Sequence, residues 1–213
     1  MKWRQLSEAV PAIAVVAMSD LEDIAVSIAR LFGNGPVAYS GVILANDGTT
    51  SSGESIEKSC YASGGYWFLL RNFEDAAEGV PDAALKALMR LLIGLAEDYA
   101  SSVLGTPGTK ARIESLWAVC QRDGDYATIH HHIPPGESPG HRLSGMLYLR
   151  SPDGVNPTTF PNGCLHFIAC ETVVYCPPVP GTLLLWPSEL LHGVHPFRGP
   201  GDRLGLSFNV VLS

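Results

Sequence analysis

The residues of this 213-residue chain best suited to chemistry lie in the run Asp125-Tyr-Ala-Thr-Ile-His130-His131-His132-Ile-Pro-Pro-Gly-Glu137. A β-strand alternates its side chains, so His130 and His132 share one face with Thr128, while His131 shares the other with Ile129 and Ile133. Imidazole is the commonest protein metal ligand, and two on alternate positions can take neighbouring sites on one ion. Histidines that merely bond carbonyls at a strand end would look the same. A second segment, Pro180-Gly181-Thr-Leu-Leu-Leu-Trp186-Pro187-Ser-Glu-Leu-Leu-His192, reads as a turn, a buried strand and a loop ending on histidine, which can return His192 to the earlier pair. A third, Arg203-Leu-Gly-Leu-Ser207-Phe-Asn209, alternates Leu204, Leu206 and Phe208 with Arg203, Gly205, Ser207 and Asn209. An arginine on the otherwise uncharged face of such a strand is costly unless it meets an anion, and a guanidinium suits bidentate binding of a carboxylate. An acidic ligand from outside would supply that anion.

The elements that must position these residues follow from pattern and composition. Hydrophobic residues make up 46% and charged residues 16%, which favours one domain with a deep core and leaves room for a buried homodimer face. The formal charge of −7 argues against nucleic acid or an anionic membrane as partner. A small or cationic partner fits better, and a small-molecule or peptide substrate is expected. Cys60, Cys120, Cys164, Cys170 and Cys176 form no C-x-x-C pair and are odd in number, so they are expected as reduced core thiols. The apolar run Ala9 to Met18 is broken by Pro11 and reads as an opening strand rather than a secretion signal. With no stretch of about 20 apolar residues, the expectation is a cytoplasmic protein.

Ser19-x-x-Glu22 has capping-box spacing ahead of a helix that stops at Gly33, and Val37 to Leu44 reads as a strand. Residues 46–65 form a Gly-, Ser- and Thr-rich loop, either a lid over a pocket or an ordinary surface loop. A second helix opens at Pro81, and Leu85, Leu88, Leu92, Leu95 and Tyr99 form one stripe, so both helices should lie against one side of a sheet. From Lys110 onward short β-rich runs take over: 112–121, 126–133, 142–150, 164–168, 172–176, 182–186 and 203–212, with Asp123-Gly124 as a hairpin turn between the first two. Many short strands without intervening helices predict an antiparallel sandwich or jelly roll. The chain is therefore expected to be a single domain, 1–109 supplying helical and strand support and 110–213 the β core.

Trp117, Gly124, His130-x-His132, Ser144-Gly145-Met-Leu-Tyr148-Leu149, Gly181-Thr-Leu-Leu-Leu-Trp-Pro187-Ser188, His192 and Arg203-x-x-x-Ser207-Phe-Asn209 together resemble the iron(II)- and 2-oxoglutarate-dependent oxygenases. The similarity is closest to an uncharacterised bacterial and phage branch distantly similar to the prolyl hydroxylases, and it covers roughly Glu114 to Ser213. It implies a mainly β fold with flanking helices, a double-stranded β-helix or cupin-like jelly roll. It also implies Fe(II) held by His130, His132 and His192, 2-oxoglutarate held through its far carboxylate by Arg203 with Ser207 and Tyr148, and hydroxylation with release of succinate and CO2. The chain departs from the superfamily in two places. His132 stands where an acidic ligand is usual, and Gly205 stands where a serine often helps grip the carboxylate. Glu137 either supplies the missing negative charge or is a solvated loop residue.

The same residues resemble a second family. Gly124-x5-His130-x-His132-x4-Glu137 and Gly181-x5-Pro187-x4-His192 are similar to the two cupin motifs, with Glu189 in place of the usual glycine. Cupins often use three histidines and a glutamate but do not require Arg203 and Ser207, and that pair favours the oxygenase. A metal-free β-sandwich binding module is the third reading. His141 and His195 are expected as surface residues, His166 as a lining residue or ligand, and Trp186 and Phe160 as packing. Leu147, Leu183 and Leu185 are expected as the apolar walls of the site.

Overall fold

The computed structural model describes residues 3–5, 13–17, 65–71, 83–134, 136, 139–151, 161–169, 171–201 and 203–213. Its elements in chain order are β1 (Arg4–Gln5), β2 (Ala14–Ala17), β3 (Gly65–Arg71), α1 (Ala83–Ser102), β4 (Ala111–Gln121), β5 (Ala127–His130), β6 (Arg142–Arg150), β7 (Leu165–Ala169), β8 (Thr172–Cys176), β9 (Thr182–Pro187), β10 (Leu191–Val194) and β11 (Arg203–Leu212). They form a seven-stranded sheet ordered β1-β2-β9-β6-β11-β4-β3 and a four-stranded sheet ordered β5-β10-β7-β8. All these pairings are antiparallel, which gives the jelly roll expected from the spacing of the strand signals. The helix expected after Ser19, the strand near Val37, nearly all of the 46–65 loop, and Cys60, Cys170, Phe160 and Glu137 lie outside the described residues.

Two apolar layers explain why the large sheet is hydrophobic on both faces. On one side α1 lays Leu88, Met89, Leu92, Ala96 and Tyr99 against the sheet, where they meet Leu143, Leu147, Leu183, Leu185, Leu206 and Phe208. Trp3 clasps the helix from the N-terminal side, its indole Nε1 donating to Asp98 Oδ2 at 2.8 Å and its ring meeting Tyr99 edge-on at 5.5 Å. The other face of the same strands presents Met146, Tyr148, Leu184 and Trp186 to Leu165, Phe167, Val174, Cys176 and Val194 of the small sheet. Leu147, Leu183 and Leu185 are therefore not walls of the inter-sheet space. They are fully buried beneath α1, and the walls come from residues of opposite parity.

Close approach fixes one glycine. A Cβ on Gly145 would lie 2.1 Å from the ring of Phe208, its cross-strand partner, so the phenyl ring takes the volume a side chain would need. The reverse turn at Arg122–Asp125 is present, with Asp125 N–H donating to Arg122 O at 2.9 Å and Gly124 at φ +92°. It is not a hairpin, however. β4 pairs with β3 and β11, and β5 pairs with β10, so the turn is a corner that carries the chain from one sheet to the other. The outer face of the small sheet leaves Ile129, Val173, Tyr175 and Leu191 exposed. Cys164 and Cys176 are free and buried, as expected of core thiols. Among the described residues no helix is long and apolar enough to cross a membrane.

Candidate metal centre and anion anchor

β5 ends at His130, and β10 runs antiparallel beside it with His192 as the cross-strand partner of His130. His192 is thus on a strand rather than at the end of a loop, which places the two imidazoles side by side by register. His132 lies two residues past the end of β5, where its backbone N–H donates to Ser188 O at 2.9 Å. Although the strand is shorter than its β-branched run predicted, the alternation holds. His130, His132 and His192 converge, with one ligand nitrogen from each lying within 4.8 Å of the others, while His131 and Ile129 are exposed.

Each ring is turned the same way. His130 Nδ1 donates to Thr128 O at 2.7 Å, His192 Nδ1 to Leu190 O at 2.8 Å and His132 Nδ1 to Asn209 Oδ1 at 2.8 Å. A proton on every Nδ1 leaves every Nε2 as a lone pair. His130 Nε2 and His132 Nε2 stand 3.1 Å apart, and two lone pairs that close repel unless a cation lies between them. The donor set therefore fits a metal ion. Burial lowers all three histidine pKa values, His132 to about 4 and His192 well below its ordinary value, so the rings are neutral and available as ligands at neutral pH.

The acceptor for His132 belongs to a buried polar relay on the large sheet. Asn209 Oδ1 also receives Ser144 Oγ at 2.9 Å, Asn209 Nδ2 donates to Ser115 Oγ at 3.2 Å, and Ser144 Oγ meets Ser188 Oγ at 2.8 Å and His132 Nδ1 at 3.0 Å. Trp117 flanks His132, and Trp186 packs edge-on to His192 with ring centroids 5.0 Å apart. Sequence reasoning placed Asn209 on the correct face of β11 but assigned it no role. The signal was its position at the end of the alternating polar set Arg203, Gly205, Ser207 and Asn209.

At the other end of that face Arg203 is 2% exposed. Its Nη1 donates to Gln121 Oε1, while Nε and Nη2 have no hydrogen-bond partner among the described residues. Its guanidinium lies over the Tyr148 ring, 5.0 Å from the centroid and near enough to interact with the buried hydroxyl, whose proton meets no acceptor among the described residues. Cys164 and Cys176 are near enough to feel the guanidinium charge, but burial pushes the Cys176 thiol up to about 12, so it is no counter-ion at neutral pH. Burial likewise raises the pKa of Tyr148, keeping the phenol protonated as a donor. Donors without acceptors around a fully buried cation fit an incoming carboxylate.

Ser207 faces the same side but donates to Gly145 O at 3.3 Å, so its proton is already engaged. A Cβ on Gly205 would come 2.8 Å from Met146 Sδ, so the place a serine would take there is filled by methionine. His166 is neither lining nor ligand. It sits on the outer face of the small sheet against His195 and Tyr175, because Phe167 takes the inward position beside it. His141 is exposed and His195 partly so.

Residues 115–209 match the family model described as "Putative 2OG-Fe(II) oxygenase". Over these residues the chain is similar to the 2OG-Fe(II) oxygenases. The family that this model describes is one of oxidoreductases whose cofactors are Fe(II) and 2-oxoglutarate. Among solved structures the chain is similar to a prolyl-4-hydroxylase of Pseudomonas putida, at 14% identity and a TM-score of 0.61 over 94% of this chain and 92% of the other. It is also similar to a prolyl hydroxylase of Trichoplax adhaerens solved with a hypoxia-inducible-factor peptide, at 18% identity and 0.57 over 97% and 86%. A non-haem α-ketoglutarate-dependent carbocyclase of nogalamycin biosynthesis shares 11% identity and 0.59 over 96% and 83%. At these identities the neighbours speak for the fold alone. A search of curated proteins gives no match.

Proposed function

We propose that this protein is a 2OG-Fe(II) oxygenase that hydroxylates a small-molecule or peptide substrate, with His130, His132 and His192 holding Fe(II) and Arg203 holding the far carboxylate of 2-oxoglutarate. The observation that carries this reading is the buried Arg203, whose Nε and Nη2 meet no acceptor among the described residues, on the strand face that also presents Asn209 to His132. A three-histidine cupin would need only the imidazoles. A metal-free binding module would need neither end.

When bound, the iron and its co-substrate supply oxidative C–H chemistry with loss of CO2 and formation of succinate. The chain's own residues prepare that chemistry. Thr128, Leu190 and Asn209 hold the three Nδ1 protons and so present Nε2 of each ring inward. Arg203 and Tyr148 donate to the co-substrate carboxylate, and Ser207 joins them only by giving up Gly145 O. Met146, Leu184, Trp186 and Phe167 exclude water from the space between the sheets, which strengthens each of those charge-assisted bonds.

Three neutral imidazoles leave the Fe(II) charge uncompensated by the described residues, so the dianionic co-substrate is the neutralising partner. Its binding and that of iron should therefore reinforce one another. The test is succinate formation from 2-oxoglutarate under air with added Fe(II), which is expected at a slow rate even without substrate. Tight metal uptake with no succinate would turn the assignment to a cupin, and absence of metal uptake would turn it to a binding module. The one-domain organisation of residues 1–213 and a cytoplasmic location complete the proposal.

A further inference from the structure

Gln121 is the last residue of β4 and the direct cross-strand partner of Arg203, so the two side chains leave the sheet on the same face. It is completely buried, and its amide is split between two duties of which only one is filled. Oε1 accepts from Arg203 Nη1, while Nε2, a buried donor, has no partner among the described residues. Among the described residues, the donors without an acceptor at this end are thus Arg203 Nε, Arg203 Nη2, Tyr148 Oη and Gln121 Nε2. A single carboxylate, with about four lone-pair sites on two oxygens, is the smallest group able to satisfy such a set.

We propose that Gln121 is a further anchor residue for the carboxylate of the acidic co-substrate: Oε1 orients the guanidinium and Nε2 donates to the bound carboxylate. This rests on the reading of Arg203 as the co-substrate anchor and extends it to a residue 82 positions away in sequence. An amide is the group the task requires. A glutamate here would hold the guanidinium at least as firmly, but it would neutralise the arginine from within and repel the incoming anion. Glutamine orients the cation without cancelling its charge and adds a donor of its own.

The test is anaerobic calorimetry on the Fe(II)-loaded protein with two probes, 2-oxoglutarate and 2-oxobutanoate, a 2-oxo acid without a second carboxylate. The variants are Gln121→Met, Gln121→Glu and Arg203→Ala, with Fe(II) affinity and thermal melting as controls for folding. Gln121→Met should weaken 2-oxoglutarate roughly ten- to a hundred-fold, the worth of one hydrogen bond to a charged group. Gln121→Glu should weaken it more, by at least about a hundred-fold, while 2-oxobutanoate changes by less than about two-fold in either variant. If Gln121→Glu fails to fold, Gln121→Met alone decides. Loss of 2-oxoglutarate binding in Arg203→Ala with parental affinity in both Gln121 variants would overturn the role of Gln121 and leave the anchor reading standing. Parental affinity in Arg203→Ala would overturn the anchor reading itself.

Discussion

The two ends of the inner face of β11 are built on opposite principles. At the Asn209 end every Nδ1 of the histidine trio already has an oxygen acceptor, Ser144 and Ser188 are bonded to each other, and Ser115 accepts from Asn209. At the Arg203 end a buried cation, a phenol and an amide are left with donors that no described residue answers. The first end is arranged in advance, so a metal meets rings already oriented and neutral. The second has no counter-ion among the described residues, and a buried charge without one is destabilising by several kcal/mol, so an anion that binds there would be stabilising. On the proposed reading selectivity divides in the same way: the histidine end would take an ion by geometry, and the arginine end would choose its co-substrate by charge.

The largest effect that would break this contrast is at the trio. His192→Ala should abolish measurable Fe(II) binding, a loss of at least about a hundred-fold, whereas His131→Ala should leave the metal affinity within about two-fold of the parent. Metal titration checks both, and equal losses would mean that the strand register is wrong. Next, Asn209→Leu leaves His132 Nδ1 without its amide acceptor and should weaken metal binding about ten- to a hundred-fold, while Asn209→Asp keeps an acceptor and should retain most of it. Long-range proton–nitrogen NMR on the metal-free protein should show the Nδ1–H tautomer for His132, and its absence in the parent would remove the basis for the relay.

A pH effect of intermediate size follows from burial. Native His132 stays neutral down to about pH 4, whereas the unfolded residue protonates near its ordinary 6.5. Between those values the unfolded state binds more protons, so the metal-free protein should lose roughly 1.4 kcal/mol per pH unit from this residue as pH falls from 6.5 to 4. Above 6.5 its contribution should be flat. Urea unfolding at stepped pH measures it, and a rise in stability on acidification would contradict the buried neutral ring. The smallest effect is at the other end, where Cys176, with its thiol pushed up to about 12, should resist alkylation at pH 8 until the protein unfolds.

Much of this was legible in the sequence, and for a physical reason. Strand parity is a local property, so His130-x-His132 and Arg203-x-x-x-Ser207 revealed their faces without reference to any partner. The strand carrying His192 was not legible because Leu-His-Gly-Val is four residues long and contains a glycine. The walls were misassigned because β9 is apolar on both faces, so Leu183 and Leu184 look equivalent until α1 and the small sheet are in place. Gln121 and Asn209 were overlooked as participants because their meaning depends on partners 82 and 77 positions away. Register between distant strands is a property of the folded sheet, and no local pattern encodes it.

The most direct measurement is an anaerobic titration of the Fe(II) protein with 2-oxoglutarate, following the visible charge-transfer absorption in the parent and in Arg203→Ala. The account predicts a saturable band in the parent, and in the variant a midpoint shifted by at least about a hundred-fold with Fe(II) affinity unchanged. Iron bound tightly by the parent with no band at any 2-oxoglutarate concentration would contradict it.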